Sequence, residues 1–340
     1  MNNLFGSYLK EFLEFNNISI NEFAERIGTS SKNLIDILNR QISLSQNMIY
    51  NISFVTDIPV SMIENLELSF RLEKNINEYL NKNNITITQL INKYNYKELK
   101  DKYNVTYTNE KNKIKIMEDI MKYLRISDIN ILTKDNSILY KSKNDKPELL
   151  ALWLERCYRI TLNQTVGEYD KKNINILVDY IKEQAKNNIF NEQELINKFN
   201  QNGIYLVIED DLSGSKIRGA FKVLKNKPAI FITKKHKRYA DIYFSLLHEL
   251  AHCKSDYNRA KNGSIVSNFD DIDTEDYELK ADSTAFNWMV DEKLYEIIKK
   301  NIINIDKYDC IKSFVVYRLA NDKIISYSSK LYQINNGVLF

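Results

Sequence analysis

Residues 239–252 read YADIYFSLLHELAH and end on His248, Glu249 and His252. A helix starting near Tyr239 to Asp241 sets His248 and His252 one turn apart on the same face, with Glu249 beside them. The chain contains only three histidines, and this motif uses two of them. Paired imidazoles at this spacing can grip a single metal ion, so the stretch predicts a metal-binding helix and the other elements can be read relative to it.

Upstream, IYLVI (204–208), GAFKV (219–223) and AIFIT (229–233) are short β-branched or aromatic runs that predict the strands of one small sheet. A strand beside a metal-binding helix suits peptide recognition, because an exposed edge lets an extended peptide add itself as a further strand. Earlier still, ELLALWLERCYRI (148–160) predicts a helix that buries Trp153. Near the other end, SFVVYRLANDKIISYSSKLYQI (313–334) predicts a helix followed by a terminal strand.

Two imidazoles leave a catalytic zinc one protein ligand short, since such sites use three ligands and keep one position open. After 25 intervening residues, YELKADSTAFNWM (277–289) offers Glu278 on a second amphipathic helix, with Glu275 as the fallback ligand. Ala281, Asp282 and Ala285 share its face, and the two alanines let the two helices approach closely. Asp282, one turn beyond Glu278, can accept the free ring N–H of a ligand histidine and fix its tautomer. HExxH followed by ExxxD is a gluzincin-like spacing. It predicts one Zn2+ per chain held by His248, His252 and Glu278. Glu249 sits where a carboxylate can take a proton from water and pass it to a leaving amine, which makes amide hydrolysis the expected reaction class. The sequence assigns no donor for an oxyanion: Tyr239, Tyr243 and His236 are nearby, but each has a blander role, that of His236, in KKHKR, being a solvated loop residue.

The first 70 residues predict five short helices. An apolar stripe of Leu4, Leu9, Phe12, Leu13 and Phe15 ends at Asn16-Asn17, and Ser19 with Glu22 forms a capping box for the next helix. Gly28 stops that helix, and Thr29, Ser30 and Ser31 cap a third, with Leu34, Ile35, Ile37 and Leu38 inward. This succession resembles the XRE-type helix-turn-helix, which implies binding to double-stranded DNA through Lys32, Asn33 and Arg40. The region carries four basic residues against eight acidic ones, so weak, salt-sensitive binding, or binding as a homodimer, is expected.

Composition agrees with a cytoplasmic, non-membrane globular protein: 44% apolar, 27% charged, net charge +3, and no apolar run of the ~20 residues that span a bilayer. The N-terminus lacks the basic region and cleavage site of a secretory signal. Eight glycines and three prolines predict a mostly helical α+β chain. Cys157, Cys253 and Cys310 are scattered and lack CxxC spacing, and Cys253 points about 100° round the helix from His252 as a packed thiol.

HELAH preceded by AIFIT and a charged turn, and followed by ELKADSTAF, resembles the ImmA/IrrE family of metallopeptidases across residues 148–290. The usual form of that family is HExxH followed by E-x-E-A-N-x-F-A. Lys280 stands for its second glutamate, Asp282 for its asparagine, Thr284 for its phenylalanine and Met289-Val290 for its Met-Pro. The resemblance implies zinc ligands at His248, His252 and Glu278, a catalytic Glu249, and regulatory cleavage of a transcriptional repressor. The expected layout is a helix-turn-helix bundle (1–70), a helical connector (71–147), a zincin-like peptidase domain with a small sheet (148–292) and a C-terminal extension packed on it (293–340). A second reading stays open, in which the chain is a DNA-binding regulator or antitoxin-like protein whose peptidase-like domain is a sensor with little turnover.

Overall fold

The computed structural model describes residues 4–39, 41–103, 112–129, 131, 140–141, 146–235, 238–268 and 276–338. Helix predominates among them, around one small mixed sheet, as the shortage of glycine and proline predicts. No helix among them is long and apolar enough to cross a membrane. The described residues group into two compact units, one drawn from 1–91 and 107–129, the other from 92–106 and 130–340.

The first unit opens with α1 (Leu4–Phe15), α2 (Ile20–Arg26), α3 (Ser31–Leu38), α4 (Gln46–Thr56) and α5 (Val60–Asn83). Ser19, Ser30 and Ser45 accept the backbone N–H groups of Glu22, Asn33 and Met48, caps that contribute about 0.5–2 kcal/mol each. The box at Ser19 closes on one side only, because the Glu22 carboxylate turns to Arg26 at 2.5 Å. Gly28, at φ +72°, takes the left-handed turn between α2 and α3 that a Cβ would disfavour. Leu34, Ile37 and Leu38 join Phe5, Leu9, Phe23 and Ile52 in one core. Ile35, expected inward, is 43% exposed, since it lies about 100° round the helix from Leu34 and outside the narrow stripe. Lys32 is exposed, Asn33 donates its side-chain amide to Thr29 Oγ1 at 2.7 Å, and Arg40 lies outside the described residues.

Helix α5 crosses the boundary expected at residue 70 without interruption, because no glycine or proline breaks the apolar period there. The expected connector contributes α6 (Ile87–Lys93), α7 (Tyr96–Tyr103) and α8 (Lys113–Leu124), of which α8 belongs to the first unit and α7 to the second.

The second unit holds β1 (Tyr140–Lys141), α9 (Pro147–Thr161), α10 (Asn173–Lys186), α11 (Glu192–Gln201), β2 (Tyr205–Glu209), β3 (Ile217–Leu224) and β4 (Lys227–Thr233). It continues with α12 (Tyr239–Ser255), α13 (Tyr257–Ala260), β5 (Ser264–Asn268), α14 (Asp276–Met289), α15 (Glu292–Lys300), α16 (Lys312–Asn321) and α17 (Lys330–Asn335). The strands order as β1-β5-β3-β4-β2, with β3 antiparallel to β4 and β5, and the pairs β2/β4 and β1/β5 parallel. Strands 2, 3 and 4 fall where the apolar runs predict; β5, in the plainer SIVSN, was not foreseen.

Both faces of the sheet are covered, so its strands are apolar on both sides. Val207, Ala220, Ala229, Phe231 and Val266 meet Leu150, Trp153 and Cys157 of α9. Trp153 is fully buried there, edge-on to Phe231, as a core residue. On the other face Leu206, Phe221, Ile230, Ile232 and Ile265 pack with α10, α12 and α16.

The terminal strand is replaced by helix α17, started by Ser329, whose hydroxyl accepts the Tyr332 N–H; among the described residues extended pairing of this segment shrinks to one bridge between Arg238 and Val338. A serine cap here outweighs the β-propensity of Tyr332 and Ile334. This segment has a task in the fold. Arg238, at the head of α12, makes no side-chain cap, and the buried Asn336 does the work instead: its Oδ1 accepts the Ala240 N–H at 2.9 Å and its Nδ2 donates to Asp241 at 3.1 Å. The Tyr239 N–H donates to the Gly337 carbonyl at 3.1 Å. Asn336→Ala should therefore destabilise the second unit by about 1–2 kcal/mol, read as a lower denaturant midpoint with an unchanged slope. An unchanged midpoint would contradict the capping role.

Candidate metal centre

From Ile242 to Cys253 helix α12 is buried on every side, which is what an apolar sequence with few polar positions requires. Its polar side chains therefore find their partners within the protein and not in water. His248, Glu249 and His252 are each 0% exposed. Opposite, α14 presents Glu278, also buried, with Ala281 and Ala285 packed inward at the positions that allow close approach.

His248 Nε2, His252 Nε2 and the Glu278 carboxylate converge on one point. The two nitrogens are 3.0 Å apart, Glu278 Oε2 is 3.0 Å from His248, and Oε1 is 3.2 Å from His252. A tetrahedral ion with bonds of about 2.0–2.1 Å spaces its donors about 3.3 Å apart, so these separations are close to the edge length of such a polyhedron. These residues could hold a metal ion.

The outer hydrogen bonds fix what faces that point. Asp282 accepts from His248 Nδ1 at 2.7 Å, and Asp256, at the end of α12, accepts from His252 Nδ1 at 2.9 Å. A carboxylate that accepts at Nδ1 places the ring proton there and turns the Nε2 lone pair inward. Two inward lone pairs and a carboxylate at about 3 Å repel unless a proton or a cation lies between them. Among the described residues, Glu249 Oε2 is also buried without a hydrogen bond. Four carboxylates, Glu249, Asp256, Glu278 and Asp282, stand at or next to the two histidines, and the charge of Arg218 bears on two of them, Glu249 and Asp282. The donor set fits a divalent cation.

The titration of the site follows from this crowding. Burial works against the imidazolium of His252, but hydrogen bonds to Asp256 and Glu278 and the nearby carboxylate charges outweigh it and lift the pKa from 6.5 to about 9. Burial would raise Glu278, yet in the metal-free chain hydrogen bonds from the two histidines, when a proton sits on Nε2, hold it well below the usual carboxylate range. Glu249 is pushed up, mainly by burial and partly by Glu278, against the pull of the histidines and Arg218. Since His252 has its folded pKa above the free value, its contribution to metal-free stability is complete below about pH 6.5 and is lost as pH rises through about 9. A metal needs the neutral ring, so its affinity should climb over the same window and binding at pH 7.5 should release about one proton per ion. Calorimetry in buffers of different ionisation enthalpy reads this directly, and identical heats would contradict it.

Other polar residues near the motif in sequence lie elsewhere. The Tyr239 and Tyr243 hydroxyls donate to the backbone carbonyls of Asn188 and Ile189, away from the cluster. His236 and Glu275 lie outside the described residues. Cys253 is a packed thiol, donating to the Tyr169 hydroxyl, and burial pushes its pKa up to about 12.

Four residues at the site were not foreseen. Asp256 follows His252 by one turn, a spacing that the motif could have suggested. Arg218 stacks over Phe244 at 5.1 Å, with Nη2 3.0 Å from His248 Nδ1 and 3.4 Å from Asp282 Oδ1. Because His248 Nδ1 is itself a donor, the guanidinium finds its acceptor in Asp282. A bulge makes this reach possible: β3 pairs Ile217 with Asn268 and then Gly219 with Ser267, leaving Arg218 as the extra residue. Consecutive strand residues normally face opposite ways, but here Arg218 and Gly219 both meet α12. Gly219 lies against Glu249, where a Cβ would come within 2.6 Å of Oε1. Ser267, on β5, donates to Glu249 Oε1 at 2.9 Å and lies 3.0 Å from His248 Nε2.

No known family model matches the chain, and no curated protein matches it.

Proposed function

We propose that the chain is a zinc-dependent metallopeptidase of the ImmA/IrrE type, acting in transcriptional regulation by cleaving a repressor-type regulator protein. The observation that carries this reading is the buried convergence of His248, His252 and Glu278 with Glu249 alongside. Two imidazoles and a carboxylate are a donor set that zinc accepts in hydrolytic sites. Bound there, zinc would supply the acidity that makes a water nucleophilic near neutral pH and the polarisation of the scissile carbonyl.

The chain's own residues supply the rest. Glu249, whose pKa is raised by burial, stands beside the converging donors, where a carboxylate can take a proton from water and return it to the leaving amine. Asp282 and Asp256 hold the two imidazoles in the tautomer that directs Nε2 inward, and Arg218 anchors Asp282. The N-terminal unit would bring the peptidase to DNA or to the repressor itself. The second reading, a DNA-binding regulator whose peptidase-like unit senses with little turnover, draws on one observation: the Ser267 hydroxyl stands among the inward donors.

The test is direct. Purified chain should carry about one zinc per molecule, lost in His248→Ala, and co-expression with repressors encoded beside it should yield a shortened repressor. A chain without metal, or repressors that all stay intact, would overturn the proposal.

A further inference from the structure

Ser267 is 1% exposed, on the α12 side of β5, and nothing in the reaction outlined above uses its hydroxyl. A hydroxyl has one hydrogen and two lone pairs. The hydrogen goes to Glu249 Oε1 at 2.9 Å, because an ionised carboxylate can only accept. The lone pairs are then left to His248 Nε2 at 3.0 Å and Glu278 Oε2 at 3.5 Å; the carboxylate only accepts, and so does the nitrogen when its ring proton sits on Nδ1 toward Asp282. An oxygen facing two acceptors at these distances is badly placed as a hydrogen-bonding group. It is well placed as a ligand, since the two separations bracket the donor spacing of about 3.3 Å in a tetrahedral site.

We infer that Ser267 Oγ is a fourth donor to the metal, so that the chain closes its own coordination sphere and water or substrate must displace the serine. The inference rests on the metal reading of the site. It deepens that reading: a centre with four protein donors is latent, and rotation of one short side chain opens it. Displaced from the ion, the hydroxyl still has Glu249 as its acceptor, so opening leaves no buried donor stranded.

Cobalt(II) is the probe, loaded into the full chain as wild type, Ser267→Cys and Ser267→Ala. A cysteine keeps the shape of the serine, and a thiolate bound to the ion gives a near-ultraviolet charge-transfer band that wild type lacks. Ser267→Ala should alter the visible cobalt spectrum and bind acetohydroxamate about tenfold more tightly, because the share of molecules with an open position rises. If cobalt enters Ser267→Cys and no such band appears, or if acetohydroxamate binds Ser267→Ala no better than wild type, Ser267 is only a hydrogen-bond partner of Glu249 and the inference falls. If wild type takes up no cobalt, the metal reading falls first and this one with it.

Discussion

Glu249→Gln should lower peptide hydrolysis by about 10²–10⁴-fold while the metal content stays at the wild-type level. Glutamine keeps the shape of the side chain and keeps an oxygen for the Ser267 hydroxyl, so the partner at 2.9 Å is not orphaned. Its amide group takes the place of Oε2, which has no hydrogen bond to lose among the described residues. What disappears is the capacity to accept a proton. None of the three converging donor residues is altered, so metal uptake, measured by elemental analysis, should not change. The paired measurement of metal and turnover separates a base from a ligand: equal loss of both would move Glu249 into the ligand set, and turnover near wild type would remove it from the chemistry.

Gly219→Ala should produce the second large effect, on stability and turnover together. A Cβ at this position would lie 2.6 Å from Glu249 Oε1 and 3.0 Å from the Phe231 carbonyl oxygen, so it is trapped between the base and the backbone of the neighbouring strand. The strand cannot retreat cheaply, because β3 is paired on both sides. Overpacking of this kind costs about 1–3 kcal/mol, which for a unit of this size lowers the melting temperature by about 2–12 °C. A carboxylate displaced by about 1 Å can lose about 10² in rate. Thermal melts and repressor cleavage check the two halves, and an alanine variant that melts and cleaves like wild type would show that the pocket yields more easily than its geometry implies.

The residues that form the cluster were legible because their spacing is a helical property. His248, His252 and Glu249 sit within one helix, and Glu278, Ala281, Asp282 and Ala285 within another, so a period of 3.6 residues was enough to group them. Three strands were legible from their β-branched and aromatic runs. What stayed hidden depends on pairing between segments distant in sequence. Ser267 lies in a strand with too little apolar character to announce itself, and Arg218 reaches α12 only because a bulge reverses its side of the sheet. Ile35 was misjudged for a related reason: apolar periodicity tells which residues can face a core, while the width of the core decides which of them do. The helix in place of the terminal strand turned on one serine cap, a local signal that the β-rich composition around it obscured.

The cap on α12 has a consequence in time. Asn336 lies 96 positions beyond the Ala240 N–H that it satisfies. At synthesis rates of about 5–20 residues per second, the helix bearing His248, Glu249 and His252 waits roughly 5–20 s before its first turn can be secured. Throughout that interval Glu278 also emerges before the cap does, so both site helices exist as chain before either is locked in place. A nascent chain of this protein is thus expected to compete poorly for metal until its C-terminal segment docks, which separates the moment of synthesis from the moment at which the centre can form.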